Sequence, residues 1–480
     1  MRLRLPKPRY VVPLIVACGL FMENMDATVI ATALPTIAHS FGEDPLRLSL
    51  AITTYLLSLG VFLPLSGWLA DRFGARSVFA TAITVFTAGS IACALSGSLV
   101  QLVLARALQG VGGAMMVPVG RLVVLRTTPK SELVAAMAYL TIPALLGPVI
   151  GPPLGGFIAT YYTWHWIFLI NIPIGLLGLV LTFLLIPNIR EPRQEPLDLL
   201  GFGLSGVGLA ATMLGFENVG RGVLPSNVVA ALIGVGCLLL ALFARHARRT
   251  PAPILDLSLF RLPTFRASVL GGFAFRAGIG ALPFLLPLLL QAGFGFTPFE
   301  SGLTTCAAAA GAMLMKITAP QILRRNGFRR VLVFNTLICA AFMAANGLFR
   351  PSTPHAVMIA VLLAGGFFRS LQFTSLNTLA YAEIGAPVMS RATTLSSVGQ
   401  QLSLTFGVGF GALMLHLTLA FTGQGALGAD TFWPAFLGIA TISMTALFFI
   451  VPLPRDAGAE VSGWESAPPP SRAQAIRPAE

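Results

Sequence analysis

Charge is scarce in this sequence. Asp, Glu, Lys and Arg together make up 10% of its 480 residues, against roughly 25% in soluble domains, so an ordinary water-soluble chain is excluded. Acid is the scarcer sign, with 18 Asp and Glu against 31 Lys and Arg. Cysteine is scarce too. Cys18, Cys93, Cys237, Cys306 and Cys339 all fall within apolar stretches without metal-ligand spacing, which argues against a disulfide framework and against a metal centre. The 5 histidines are too dispersed to pair on a metal. No Gly-x-x-x-x-Gly-Lys-Ser/Thr loop and no Gly-x-Ser-x-Gly elbow occurs, so neither nucleotide hydrolysis nor a serine nucleophile is indicated. The expectation is a chain that is not an enzyme and takes no cofactor, with a polytopic membrane enzyme as the remote alternative.

Hydrophobic residues supply what charge does not, at 55% of the chain. They gather in about fourteen runs, near 11–34, 48–70, 78–97, 99–123, 133–160, 165–187, 198–217, 226–245, 267–291, 300–322, 331–349, 355–381, 393–421 and 431–453. A helix crosses a bilayer with about 20 apolar residues, so an all-α polytopic membrane protein of about 14 transmembrane helices is expected. Numbering the runs in order, the segments that share a side with both termini hold most of the basic residues, among them Arg2, Arg4, Arg72, Arg76, Arg126, Lys130, Arg190, Arg245, Arg324, Arg330 and Arg391. The other side keeps only Arg47, Arg221 and Arg350. That asymmetry puts both termini in the cytoplasm. The net charge of +13 is therefore topological, and no nucleic-acid partner is expected. The basic stretch Met1–Arg9 precedes an apolar run that is too long for a signal peptide and lacks a small-residue cleavage site, so it reads as a retained first span.

Several runs carry polar or small residues that a plain membrane anchor has no use for. Gly147, Gly151 and Gly155 recur every fourth residue in the fifth run, with Gly156, Pro148 and Pro152 beside them. Such a face lets a neighbouring backbone approach closely, and the prolines predict bends. In the first run Glu23 and Asp26 lie one turn apart. Carboxylates at membrane depth face a cavity or a cation, and Asp26 is the stronger functional candidate. Gly67-Trp68-Leu69-Ala70-Asp71-Arg72-Phe73-Gly74-Ala75-Arg76 makes a short charged turn between the second and third runs, suited to a gate. In the fourth run Arg106, Gln109, Gly110 and Gly113 share a helical face. This glycine run lacks the strand and the Lys-Ser/Thr of a phosphate loop.

The segments at 25–35, 67–77, 106–118 and 147–156, taken in this order, resemble the signature motifs of the major facilitator superfamily, and within it the fourteen-span drug:proton antiporters of EmrB/QacA type. Trp164–Pro173 and Ile254–Phe260 resemble that group as well, and Met115–Arg121 most resembles its MdtD-type members. The resemblance implies two six-helix bundles around a central cavity, with two inserted helices. It assigns residues 1–190 to the first bundle, 191–250 to the insertion and 251–455 to the second bundle. It further implies a proton-coupled efflux transporter for drugs in a bacterial inner membrane, working by alternating access and functional as a monomer. Its partners would be a small-molecule substrate, protons and the lipid bilayer.

The roles implied are proton coupling at Asp26, Glu23 and Arg106, and gating at Gly67, Asp71, Arg72, Gly74 and Arg76. The substrate cavity would take Gln109, Arg276, Arg369, Gln372 and Asn377. An internal echo supports two repeated halves, since Leu323–Arg329 repeats the shape of Ala70–Arg76 at the matching place. Repeated halves that rock against each other are a transporter signature. Arg276 and Arg369 raise an alternative substrate, an anionic metabolite such as an organic acid or its metal chelate, because a guanidinium suits carboxylate or phosphate. Lys316 is expected to snorkel to the cytoplasmic surface, and His416 reads as an interhelical polar residue. Residues 456–480, rich in Ala, Pro and Glu, are expected to be a disordered cytoplasmic tail.

Overall fold

The computed structural model describes residues 8–43, 45–190, 195–219, 224–422 and 428–464. Every regular element among the described residues is helical. Fourteen helices are long and apolar enough to cross a membrane. They are span 1 (Val11–Ile30), span 2 (Leu50–Phe73), span 3 (Ala75–Ala94), span 4 (Leu99–Thr127), span 5 (Lys130–Gly151), span 6 (Trp166–Leu185) and span 7 (Leu199–Asn218). Span 8 (Ser226–Ala247), span 9 (Pro263–Gly293), span 10 (Glu300–Asn326), span 11 (Phe328–Asn346), span 12 (His355–Leu379), span 13 (Ala386–Phe421) and span 14 (Asp430–Ile450) follow.

Spans 1–6 form one six-helix bundle and spans 9–14 a second. Spans 7 and 8 pack on each other, and span 7 also lies against span 2 of the first bundle and span 13 of the second. The repeat seen in the sequence has a backbone counterpart. Gly74 (φ 92, ψ 139) ends span 2 and starts span 3 with no intervening loop, and Gly327 (φ 71, ψ 161) does the same between spans 10 and 11. Both are in the left-handed range that a side chain would resist.

Helices this apolar gain little hydrophobic preference for one another in a bilayer, so close approach between backbones holds them. Spans 10 and 12 cross where a Cβ on Gly311 or Gly366 would overlap the carbonyl of Leu363 or Ala308. Span 5 continues as one helix through Tyr161. Its Gly147 abuts Asn24 and Met25, and its Gly151 abuts Thr28, all on span 1. Gly155 is buried, while the side-chain placement of Pro148, Pro152 and Gly156 lies outside the described residues. Span 9, with Pro283 and Pro287, is broken by two π-turns, Ala267–Gly271 and Leu289–Gly293.

Because the spans alternate, the turns at Gly74, Thr128, Arg190, Thr250, Gly327 and Ala382 share one end of the molecule, here called the Gly74 end. The two bundles meet there. Ser66 Oγ and Thr394 Oγ1 are 3.1 Å apart, and Lys130 Nζ donates to the Ala382 carbonyl at 3.0 Å. The chain after span 14 also belongs to this end. Ala459–Ser462 forms a short helix between two left-handed glycines, Gly458 and Gly463, with Val461 buried and Glu460 3.3 Å from Lys130. The expectation of disorder from residue 456 is therefore corrected for 456–464. Buried Ala457 and Val461 give that segment a core to join despite its polar composition. Residues 465–480 lie outside the described residues.

Candidate functional site

Four spans of the first bundle bring their polar side chains to one buried point. Asp26 on span 1 is 1% exposed and Arg106 on span 4 is 0% exposed, and Arg106 Nη1 donates to Asp26 Oδ2 at 2.5 Å. The other Asp26 oxygen accepts from Gln109 Nε2 at 2.8 Å and from Asn171 Nδ2 at 3.1 Å. Ser90 Oγ accepts from the same two amides at 2.8 and 3.1 Å. Arg106 Nε reaches the Ala51 carbonyl at 3.4 Å, and its guanidinium lies 4.5 Å from the Tyr55 ring centroid. A buried ion pair is tolerable when its remaining lone pairs and protons find partners; both Asp26 oxygens do, while the neighbouring Asn171 Oδ1 and Tyr55 Oη are left without one among the described residues. Small residues make the approach possible, since a Cβ on Gly89 would come within 2.8 Å of the Gln109 backbone.

The large cavity lies elsewhere. About 510 Å³ in volume, it sits between the bundles, and spans 1, 4 and 5 line it opposite spans 10, 12 and 13. Glu23 lines it, whereas Asp26 and Gln109 do not. Gln109, expected in the cavity, is instead a member of the buried cluster. The Glu23 carboxyl has a buried Oε2 without a hydrogen-bond partner, and it is the cavity's one acid among the described residues. Three cations share the cavity with it, Arg121 on the same side and Lys316 and Arg369 across from it.

Lys316 corrects the snorkelling expectation. Span 10 runs on to Asn326, which sets Lys316 about 15 Å inside the helix end at 1.5 Å per residue. It is 4% exposed, and its Nζ donates to Thr374 Oγ1 at 2.7 Å. Arg121 donates across the bundle interface to Tyr381 Oη at 3.4 Å and Gln400 Oε1 at 3.3 Å. Arg369 has no hydrogen-bond or ion-pair partner among the described residues, and it also borders a second cavity of about 30 Å³ beside Asn346. Arg276 stands behind the wall at 2% exposure, where its Nη2 donates to Asn377 Oδ1 at 2.9 Å and its guanidinium is 5.5 Å from the Phe373 centroid. Asn377 lines the cavity. Gln372 does not. Its amide donates to Thr336 Oγ1 at 2.7 Å and its Oε1 accepts from Asn335 at 2.9 Å, so it ties span 12 to span 11.

The charged turn at the Gly74 end is in contact with the second bundle. Asp71 accepts from Arg126 Nη2 at 2.9 Å and from Ser390 Oγ on span 13. A Cβ on Gly67 would meet Thr394 Oγ1 at 2.6 Å and the Ser390 carbonyl at 3.0 Å. Arg72 is exposed and covers Trp68 at 5.4 Å, and Arg76 is half-buried with its Nε lacking a partner. Around them, Arg391 binds Glu195 and Asp256, the latter at 3.4 Å, and Trp68 Nε1 donates to the Glu195 carbonyl at 2.9 Å. Arg121, Lys316 and Arg391 were not singled out as site residues from the sequence. The signal for Lys316 was a cation inside an apolar run, whereas Arg121 lies at the end of its run. Nothing local marks Arg391, whose partners lie 196 and 135 residues away.

Residues 16–408 match the profile of the Major Facilitator Superfamily. "Putative multidrug resistance protein MdtD" of Escherichia coli strain K12 is 45% identical over 408 residues, covering 84% of this chain and 85% of that protein. The protein of the same name from Escherichia coli O6:H1 strain CFT073 is 42% identical over 453 residues, covering 92% and 94%. Among solved structures, the human organic anion transporter MFSD10 (TETRAN) superposes with a TM-score of 0.67 at 16% identity, over 93% of this chain and 100% of that one. The proton:xylose symporter XylE does so with a TM-score of 0.65 at 14% identity, over 95% and 99%. At these identities the two structures speak for the fold alone.

Proposed function

The chain belongs to the Major Facilitator Superfamily, and from that premise we propose that it is a proton-coupled exporter of small molecules. Alternating access comes from rocking of residues 1–190 against 251–455, with 191–250 as the inserted pair. Efflux is favoured by the relatives named "Putative multidrug resistance protein MdtD". The observation that carries the proton reading is Glu23, an acid in the wall of the inter-bundle cavity with an unpartnered, buried oxygen. A carboxyl that can be reached from the cavity and is held by no cation can take up and release a proton as access alternates. Asp26, the first candidate by sequence, has both oxygens engaged away from the cavity. We assign Asp26 and Arg106 to positioning span 1 against span 4.

The asymmetry of basic residues assigns the Gly74 end to the cytoplasm. On that assignment both termini are cytoplasmic, the membrane is the bacterial inner membrane, and the form described here is closed toward the cell interior. The gate is formed by Gly67 and Asp71 against Ser390 and Thr394 of span 13, beside the turn at Gly74, with the monomer as the working unit. A second reading concerns the cargo, since three cavity cations against one acid favour an anionic solute over a lipophilic cation. Purified full-length protein in proteoliposomes tests the proposal under an imposed pH gradient. Gradient-dependent flux of at least one solute from a panel of cationic dyes and organic acids is expected, and its absence across the panel overturns the antiport reading.

A further inference from the structure

Lys316 is a buried cation that the proton reading above does not use. Its ammonium has three donors, and one of them is engaged, by the neutral hydroxyl of Thr374. A charge taken out of water with a single neutral partner is costly to hold. In a protein with two alternating arrangements, such a group is expected to have its full partner in the other one. The charged groups that line the cavity with it are Glu23 from span 1, Arg121 from span 4 and Arg369 from span 12. Span 5 contributes Thr141 there, and span 9 contributes Ile279 and Pro283, with Arg276 behind the wall. Among the described residues Glu23 is thus the one acid lining the cavity, and its buried Oε2 has no hydrogen-bond partner. Of the cations, Arg121 is already bonded to Tyr381 and Gln400. Arg369 is less buried than Lys316 and shares a second cavity.

We propose that Lys316 is the coupling residue of the second bundle, its ammonium pairing with the Glu23 carboxylate across the cavity when Glu23 is deprotonated and no substrate intervenes. This rests on the antiport reading and deepens it. Glu23 gives its proton to cavity water, the ammonium keeps all of its own, and the new ion pair draws span 1 and span 10 together. Substrate or a returning proton breaks the pair. An empty, unprotonated transporter is thereby held in a compact form, which limits uncoupled proton leak.

Hydrogen–deuterium exchange on the substrate-free full-length protein tests this without any transport assay. In the parent, the protection of peptides from spans 1 and 10, corrected for the base-catalysed rise of intrinsic amide exchange with pH, should be about tenfold greater in mildly alkaline than in mildly acidic buffer, within the usual span of coupling between sites. Glu23→Gln and Lys316→Met should each abolish that pH response. Lys316→Arg should keep it, and the exchanged pair Glu23→Lys with Lys316→Glu should restore it. Arg369→Gln should leave it intact. A parent without a pH response, a response that survives Lys316→Met, or one that moves with Arg369 overturns the pairing. Gradient-driven flux with no dependence on Lys316 would sink the pair and spare the antiport reading. A pH response without any flux would do the reverse.

Discussion

Glu23 and Asp26 stand one turn apart on the same span and end in opposite surroundings. Asp26 is held by Arg106 at 2.5 Å with its second oxygen shared between Gln109 and Asn171, and Glu23 turns into the cavity with a bare, buried oxygen. The helical turn is what divides them. Residues i and i+3 lie on neighbouring faces, and span 1 is wedged between its own bundle and the cavity, so a small angular offset selects a different side. On the proposed assignment the consequence is a separation of labour between two acids that look interchangeable in a one-dimensional reading.

Neutralising the two acids should therefore have different effects. Asp26→Asn leaves Arg106 charged and unpaired in a dry site, an error that costs about 3–5 kcal/mol, so its melting temperature in detergent should fall and its yield with it. Adding Arg106→Gln should recover part of the loss, as expected for residues in contact. Glu23→Gln breaks no bond, so it should melt like the parent and lose gradient-driven flux. Paired melting curves and proteoliposome flux check this. A stable Asp26→Asn protein that has lost coupling would return the proton to Asp26.

At the Gly74 end, Gly67→Val should wedge the bundles apart, because the first atom added already lies 2.6 Å from Thr394 Oγ1. Asp71→Asn should loosen the same contact more gently, because it weakens the acceptor for Ser390 of span 13 and discards the ion pair with Arg126 that orients it. The readout is a cysteine placed at Ser397, which lines the cavity, labelled by an impermeant thiol reagent in inside-out vesicles. Labelling should rise in both variants and most for Gly67→Val. Rates equal to the parent's would remove the gate assignment.

The fold was legible because a bilayer imposes few choices. Apolar runs of span length must be helices, and Gly74 and Gly327 announced the repeat through matching turns. Of the site, Glu23, Asp26, Arg106 and Gln109 were legible as polar exceptions on the spans, but their faces were not. Whether Gln109 meets Asp26 or the cavity depends on how spans 1, 3, 4 and 6 rotate against one another, which periodicity cannot set in a helix that is apolar all round. Lys316 was misread because the apolar run ends near residue 322 while the helix continues to Asn326, so its depth was underestimated. Gln372 looked like a cavity residue for the same reason that it holds span 11: an amide inside a span must bond something.

Arg391 should act on the linkers more than on stability. Its carboxylate partners Glu195 and Asp256 flank the inserted pair, and all three side chains keep contact with solvent. Such pairs are worth at most about 1 kcal/mol. Arg391→Gln should accordingly shift the melting temperature little while making the segments around 187–197 and 250–262 cleave faster under limited proteolysis. Unchanged cleavage would mean that Trp68 and Asp198, which also bind those segments, hold them without Arg391.

The proposed sign of the cargo rests on the same cavity. A guanidinium at membrane depth costs at least about 2.5 kcal/mol on the mildest insertion scale, and two lie near the middles of spans 9 and 12. Arg276 has an internal use, since Asn377 and Phe373 occupy it. Arg369 has none among the described residues and opens on the cavity beside Lys316. Its planar fork is matched to a carboxylate or a phosphate, and truncating one partner of such a charged contact costs about 2–5 kcal/mol. Arg369→Gln should thus lower the flux of organic anions by tenfold or more, about 1.4 kcal/mol per decade, while leaving any flux of cationic dyes at the parent's rate. Arg276→Gln, which frees Asn377 and disturbs the wall, should lower both. Counterflow of a labelled tricarboxylate and of a cationic dye in the same proteoliposome preparation separates the cases. Equal loss of both solutes in Arg369→Gln would make that arginine scaffold and return the cavity to cations.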